Sequence, residues 1–416
     1  MKTTGFPGPC DGWFGGRGRD TPRGELEHRL VVLAACVLAF VGPRCTGTAR
    51  QHTVTMDPVR MTARPAPSGE VVVDAYDARD LLQRGNDALS AGRYEDALES
   101  FERLTREFAD SRFIEAALYN SALCLEHLDR LEDAAARYLS LVERHTGSPD
   151  APDSLFQATR CYERLERWAD AIALLDRLLE RSDLDADERL EAMSRRGSAL
   201  VQLGDLDEGE RQLRRAIAFY RREGGEPFRT DYFLAQAQHS LGEIPRMSMA
   251  AIELTNDEQQ FRIALERRCE LLLRAQTQYV QTIRIGNAHW AAASAYRIGD
   301  MYSSLYDEIM AIPVPEAEVP DDITTPEDVA VFREEYPVHY RRLLREYMEP
   351  LLHNAIRWWE SNLMMVERTG VEGEWVSRTR EQLERVRDLL DEIDREQAPG
   401  PETPAGTQAP EVPAAE

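Results

Sequence analysis

The segment AGRYEDALESFERL at residues 91–104 returns three times along the chain, as LDRLEDAAARYLSL (128–141), LERWADAIALLDRL (165–178) and LGDLDEGERQLRRA (203–216). Aligned on one small residue, the copies fall at Ala97, Ala134, Ala171 and Gly209, a nearly constant interval. A fixed period of this size constrains the chain to a stack of like units, because a single unit cannot bury its own apolar face. Four and seven positions after each small residue come Phe101 and Leu104, Tyr138 and Leu141, Leu175 and Leu178, Leu213 and Ala216. That is helical spacing, not strand alternation. Twelve positions before each small residue stands Gly85, Ala122, Thr159 or Gly197. Each unit therefore reads as two antiparallel helices that approach closely at the two small positions, with the bulky residue four later filling the gap.

Gly85, Ala88, Tyr94, Ala97 and Phe101, with Trp168 and Ala171 in the third unit, resemble the tetratricopeptide repeat over residues 77–224. Units here run three or four residues beyond the family's usual length, and the extra residues fall between units, as in ADSRF, TGSPDAPDS and SDLDADE. The expected fold is all-α: an α–α superhelix with an irregular helical extension over 225–396. Within that extension, 258–285 reads as one amphipathic helix ended by Gly286, and Asn287 can cap the next. Ala355 and Trp359 repeat the small-then-aromatic spacing. Their unit looks like a divergent repeat split by a proline-rich insertion at 312–337, in which Thr325, Pro326 and Asp328 make a helix start. Residues 374–393 read as a closing helix, and 397–416 as a disordered tail.

Ahead of the repeats, Arg29 precedes an apolar run at 30–41 that is too short to span a membrane and fits a secretory signal. Pro43 and the small residues at 47–49 place cleavage near residue 50, so 1–49 is a leader and 50–76 a solvated linker. The stretch 1–28 is long and glycine-rich for a leader, as a start codon assigned too far upstream would give. Alternatively, LAAC at 33–36 resembles a lipobox and would anchor the chain at Cys36. The segments LERRCELLLRAQTQYVQTIRIGNAHWAAASAYRIGDMY and EPLLHNAIRWWE also resemble envelope-associated tetratricopeptide proteins of myxobacteria and relatives, gliding-motility types included. That resemblance implies a periplasmic or outer-membrane location; a cytoplasmic one is the alternative if the run is not a signal.

Acidic residues outnumber basic ones 74 to 50, for a formal net charge of -24. This argues against nucleic acid and against an anionic membrane surface as direct partners, since both need a positive face. Lys2 is the only lysine, so no lysine nucleophile or phosphate-cradling lysine lies in the repeats. No CxxC, HExxH, GxSxG, Walker loop or GxGxxG occurs, and no metal or cofactor is expected. Cys124 and Cys161, one repeat apart, should occupy equivalent places about 10 Å from each other in neighbouring units, beyond the reach of about 7 Å for a disulfide. Trp359 reads as core, Trp358 as half-exposed, and His289 as packing or capping.

Three functions compete: a non-catalytic scaffold of the cell envelope that docks proteins, a cytosolic adaptor, and a subunit of an enzyme complex. The resemblance implies that first helices line a concave face holding a protein or peptide segment. Carried over by position, that face presents Asn86, Tyr119, Glu126, His127, Phe156, Arg160, Glu163, Arg164, Ser198 and Gln202. Arg160 and Arg164, four apart on one helix, are the expected centre of the contact. The family's lysine-based clamp for a terminal carboxylate has no counterpart here.

Overall fold

The computed structural model describes residues 58–65, 71–223, 228–316, 318–321 and 323–397. The signal-like run at 30–41, Cys36, the cleavage region before residue 50 and the tail from 398 onward lie outside the described residues. Two strands, β1 (Arg60–Pro65) and β2 (Val71–Tyr76), are followed by thirteen helices: α1 (Ala78–Ser90), α2 (Tyr94–Glu107), α3 (Ile114–His127), α4 (Leu131–Arg144), α5 (Ala151–Arg164), α6 (Trp168–Leu179), α7 (Ala186–Leu203), α8 (Leu206–Arg222), α9 (Tyr232–Ala250), α10 (Glu258–Ile285), α11 (Ala288–Ala311), α12 (Pro326–Thr369) and α13 (Glu374–Gln397). Consecutive helices pack in pairs and each pair packs on the next, which is the expected α–α stack.

The small positions set the packing. A Cβ placed on Gly85 of α1 would lie 2.4 Å from the Phe101 ring of α2, and one on Gly197 of α7 would lie 2.7 Å from Leu213 of α8. Ala122, Ala134 and Tyr138 meet in the second pair and Thr159, Ala171 and Leu175 in the third, all fully buried. The first turns are fixed locally: Asp77 and Asp80 cap α1 reciprocally, as Asp185 and Glu188 cap α7.

The same geometry continues beyond residue 225. Gly242 of α9 faces the Tyr279 ring of α10, where an added Cβ would lie 2.5 Å from it, and Ala275 precedes Tyr279 by four. Gly299 of α11 faces Trp359 of α12 in the same way, with Ala355 four before it. Six helix pairs thus share one contact, with α13 laid over the last of them.

Two segments differ from their sequence reading. Part of the region expected to be a solvated linker is an antiparallel hairpin, with Arg60 opposite Tyr76 and Pro65 opposite Val71. The β-branched run VVV at 71–73 favours strand, but a lone two-stranded hairpin is marginal in water. This one is held by Tyr76, which is buried, donates to Glu107 Oε2 at 2.6 Å and sits edge-on to Phe108. The guanidinium of Arg103 lies 4.6 Å from the centre of the same ring. Second, the proline-rich insertion is shorter than 312–337: α12 starts at Pro326, capped by Thr325, and runs through Pro337 and Pro350 to Thr369. Proline removes one helical N–H and crowds the preceding turn. Here the carbonyls it frees lie on a stretch with no buried residue, where water can satisfy them.

Candidate partner-binding face

The residues expected on the concave face lie along the first helices, and half of them join one unit to the next. Asn86 of α1 accepts from Asn120 of α3 at 2.9 Å. Tyr119 of α3 donates to Asp153 of α5. Glu163 of α5 holds Arg195 of α7 with two hydrogen bonds, at 3.1 and 2.9 Å. Ser198 of α7 meets Ser240 of α9 at 2.7 Å. Glu126 is turned inward instead, accepting from Tyr138 at 2.6 Å within its own unit. The ring of Phe156 is buried and belongs to the packed interior. His127 is exposed and stacks on Tyr94, with ring centres 4.3 Å apart. Gln202 is exposed.

Arg160 and Arg164 separate here. Arg164 pairs with Asp129 across the units at 2.7 Å. Arg160 is exposed, donates to Gln157 of its own helix at 3.0 Å, and has no carboxylate within ion-pair distance among the described residues. It lines a cleft of about 340 Å³ with Glu163, Glu191, Arg195, Tyr232, Phe233 and Gln236, where α5, α7 and α9 meet. Arg195 is the floor. It is buried, and Glu191 Oε1 accepts from it at 2.8 Å in addition to the Glu163 pair. Burial opposes its charge, but the two carboxylates outweigh that and its pKa is raised. Glu191 has only one bond to the guanidinium, and burial pushes its carboxyl up. Burial also raises the Tyr232 phenol, whose Oη makes no hydrogen bond among the described residues. Gln236 Oε1 is buried without a partner. An unpaired cation, a free phenol and an orphaned carbonyl oxygen therefore surround one cleft beside the Phe233 ring. Buried polar groups are normally satisfied, so each exception calls for a reason.

Sequence reasoning missed a second cluster. Glu243 of α9 is buried and accepts from Tyr279 at 2.5 Å and from Arg246 at 2.9 and 2.6 Å, with Arg297 of α11 at 3.3 Å. Burial would raise this carboxyl, but His239, Arg297 and Arg246 hold it at about 2. His239, one turn before, meets Ser294 Oγ through Nδ1 at 2.9 Å, and its Nε2 lies 3.6 Å from Glu243 Oε1. Burial lowers its pKa to about 4. The order Ser294, His239, Glu243 has the outline of a nucleophile, base and orienting acid. All three are buried, however, and Glu243 is already engaged by two arginines and a tyrosine. The arrangement ties α9, α10 and α11 together. The one available signal was the four-residue interval between His239 and Glu243, which is unremarkable among so many carboxylates.

Among the described residues no group of three or more His, Cys, Asp or Glu is placed to hold a metal ion. No helix among them is long and apolar enough to cross a membrane.

Three overlapping stretches, 82–152, 130–186 and 160–227, match the tetratricopeptide repeat family profile. No curated protein matches the chain significantly. Similar solved structures include residues 41 to the end of MamA from Desulfovibrio magneticus RS-1, at 15% identity over 48% of this chain and 96% of that one, with a TM-score of 0.32. A tetratricopeptide repeat protein from Parabacteroides merdae ATCC 43184 is similar at 14% identity over 74% of this chain and 98% of that one, with a TM-score of 0.35. The family profile and the shared contact between paired helices agree: residues 82–227 of this chain carry tetratricopeptide repeats.

Proposed function

We propose that this chain is a non-catalytic scaffold that docks a segment of a partner protein along a concave row of first helices, centred on the cleft at Arg160. The observation that carries this reading is the set of unsatisfied groups there. Among the described residues Arg160 lacks a carboxylate, Tyr232 Oη lacks a partner, and Gln236 Oε1 is buried and unpaired. An extended segment supplies what they lack: a carboxylate or carbonyl oxygen for Arg160 and Tyr232, an N–H for Gln236, and an apolar side chain against Phe233. Arg164 contributes less, because Asp129 already holds it. The test is the variant R160A/Q236A, whose two positions lie outside the fully buried core. With its melting temperature unchanged, it should lose the partner recovered by wild-type protein from the native host. Recovery at wild-type yield would move the docking site elsewhere.

The place of work in this proposal is the cell envelope, in an assembly or motility complex. Its support is Arg29, the apolar run at 30–41 and the small residues at 47–49. Amino-terminal sequencing of the protein from its host should give an end near residue 50. A lipid-bearing end at Cys36 would shift it to a membrane face, and an intact cytosolic chain would overturn export.

A further inference from the structure

The first part of α12, residues 326–350, contains no buried residue. At 1.5 Å per residue it is a helical arm of roughly 37 Å. Most of its apolar residues, Phe332, Tyr336, Tyr340, Leu343 and Tyr347 among them, lie on one side of the helix, and Val331 and Val338 on the other. Val331 and Val338, one heptad apart, are 51% and 71% exposed. A turn of 100° per residue puts Glu334, Glu335, Arg341, Arg342 and Arg345 within about 60° of Val338, so all share one face with the two valines. The face is acidic on one side of Val338 and basic on the other. Among the described residues Glu334, Glu335 and Arg341 have no ion-pair partner, and Arg342 bonds only His339, at 2.8 Å. Side chains pair along one helix three or four residues apart, and the two glutamates stand six to eight residues from the two arginines, too far to pair within the arm.

Glu334 and Arg342 lie four residues either side of Val338, and Glu335 and Arg341 lie three either side. A second copy of the same helix, laid antiparallel with a two-fold axis at Val338, brings each Glu opposite an Arg. Glu334 comes beside the partner's Arg341, and Glu335 beside the partner's Arg342. The valines meet near the axis, and Val331 lies along the aliphatic stem of the partner's Arg345. A parallel arrangement sets like charges on each other and is disfavoured. The one like-charge meeting in the antiparallel pair, Glu327 with the partner's Glu349, falls at its ends, where Glu349 is already engaged by His353 at 3.0 Å. Isologous contacts of this kind are the commonest way soluble chains associate.

The face does not stop at the helix. Arg341 and Arg345 also border a groove of about 410 Å³ floored by Met310, Leu389 and Ile393. The first turns of a partner's arm would pass over that floor, adding apolar contact that two valines alone do not supply.

We propose that the arm of α12 is a homodimerisation element: two copies of this chain pair antiparallel through residues 331–345, with register set by Glu334 and Glu335 against Arg341 and Arg342. Sedimentation equilibrium on the full chain tests this. Wild-type protein should show twice the mass of one chain. E334R/E335R makes all four register positions of each arm positive and should be monomeric, and R341E/R342E, which makes all four negative, should be monomeric too. The substitutions are at exposed positions, so circular dichroism should be unchanged. Mixing the two variants in equal amounts should restore the doubled mass, because each now supplies the charge the other lacks. A monomeric wild type, a variant that keeps the wild-type dimer, or a mixture that fails to recombine would each overturn the proposal. Loss of partner docking at Arg160 would leave it untouched, since the two sites share no residue.

Discussion

Replacing Gly299 by alanine tests the contact that all six helix pairs share, at the pair where sequence spacing is least help. The new Cβ would lie 2.4 Å from Trp359 Nε1, 2.6 Å from Cε2 and 2.7 Å from Cδ1. Comfortable separations are about 3.5–4.0 Å, so the ring or the α11 axis must move by about 1 Å. The ring has nowhere to go: Trp359 is fully buried, and its Nε1 donates to the Tyr296 carbonyl at 3.2 Å. Overpacking of this kind costs about 1–3 kcal/mol. Alanine recovers about 1 kcal/mol of helix propensity over glycine, leaving a net loss of up to about 2 kcal/mol. Urea unfolding followed by far-ultraviolet circular dichroism measures it, with Gly147→Ala as the control. Gly147 has open space around its Cβ position and no positive φ, so alanine there should be neutral or stabilising by up to about 1 kcal/mol. In the double variant G299A/W359F the smaller ring should relieve part of the clash, so the two losses fall short of additive. A G299A protein more stable than wild type by the full ~1 kcal/mol of helix propensity would refute a close approach set by Gly299.

Ala134→Trp, at a fully buried contact position, should destabilise by about 1–3 kcal/mol or more, and exposed Glu132→Ala should stay within about 0.5 kcal/mol; equal melting temperatures would refute the repeat register. Arg195→Ala should cost about 3–5 kcal/mol in chemical denaturation, because Glu163 and Glu191 are left without their cation. His239 stays neutral in the fold down to about pH 4, against an ordinary value of 6.5. The unfolded chain therefore binds the proton first, and stability should fall as pH drops from 6.5 to 4. Glu243, held at about 2, loses its contribution only below its ordinary 4.5. Melting temperature against pH should show the upper phase in wild type and lose it in H239N. Among the described cysteines, Cys269 should be alkylated in the native protein and identified by peptide mapping, whereas buried Cys124 and Cys161, with thiols pushed up to about 11 and about 12, should react only after unfolding.

The helix pairs of 77–224 were legible because each small residue and its bulky neighbour recur at a nearly constant interval. The fifth pair was not. Gly242, Ala275 and Tyr279 are the counterparts of Gly85, Ala97 and Phe101, but the stretch from Gly242 to Ala275 is almost three times that from Gly85 to Ala97, so no periodic search brings them together. In the sixth pair only Ala355 and Trp359, four apart on one helix, were visible; Gly299 lies on the helix before, on the far side of both the insertion and the arm. Side-chain partners were less legible still. Family position put Arg160, Glu163 and Arg164 on one helix, yet their roles depend on Asp129, Arg195 and Gln236, which reach them from other parts of the stack. The hairpin was hidden by the opposite cause. Its valines signal strand, but its stability comes from Tyr76 reaching Glu107 and Phe108, contacts made only after α2 has formed.

The unequal spans within the pairs bear on the order in which the chain assembles. Phe101 reaches Gly85 across a short loop, whereas Trp359 reaches Gly299 across nearly four times as much chain. The entropy of closure grows with the logarithm of the span, so the sixth pair starts about 1 kcal/mol worse off than the first. Its apolar surfaces also have nothing to rest on until the preceding pair is in place. Closure entropy therefore favours early formation of the short-span units near the amino-terminal end over the long-span ones. The first turns of α12, which hold no buried residue, gain least from that order.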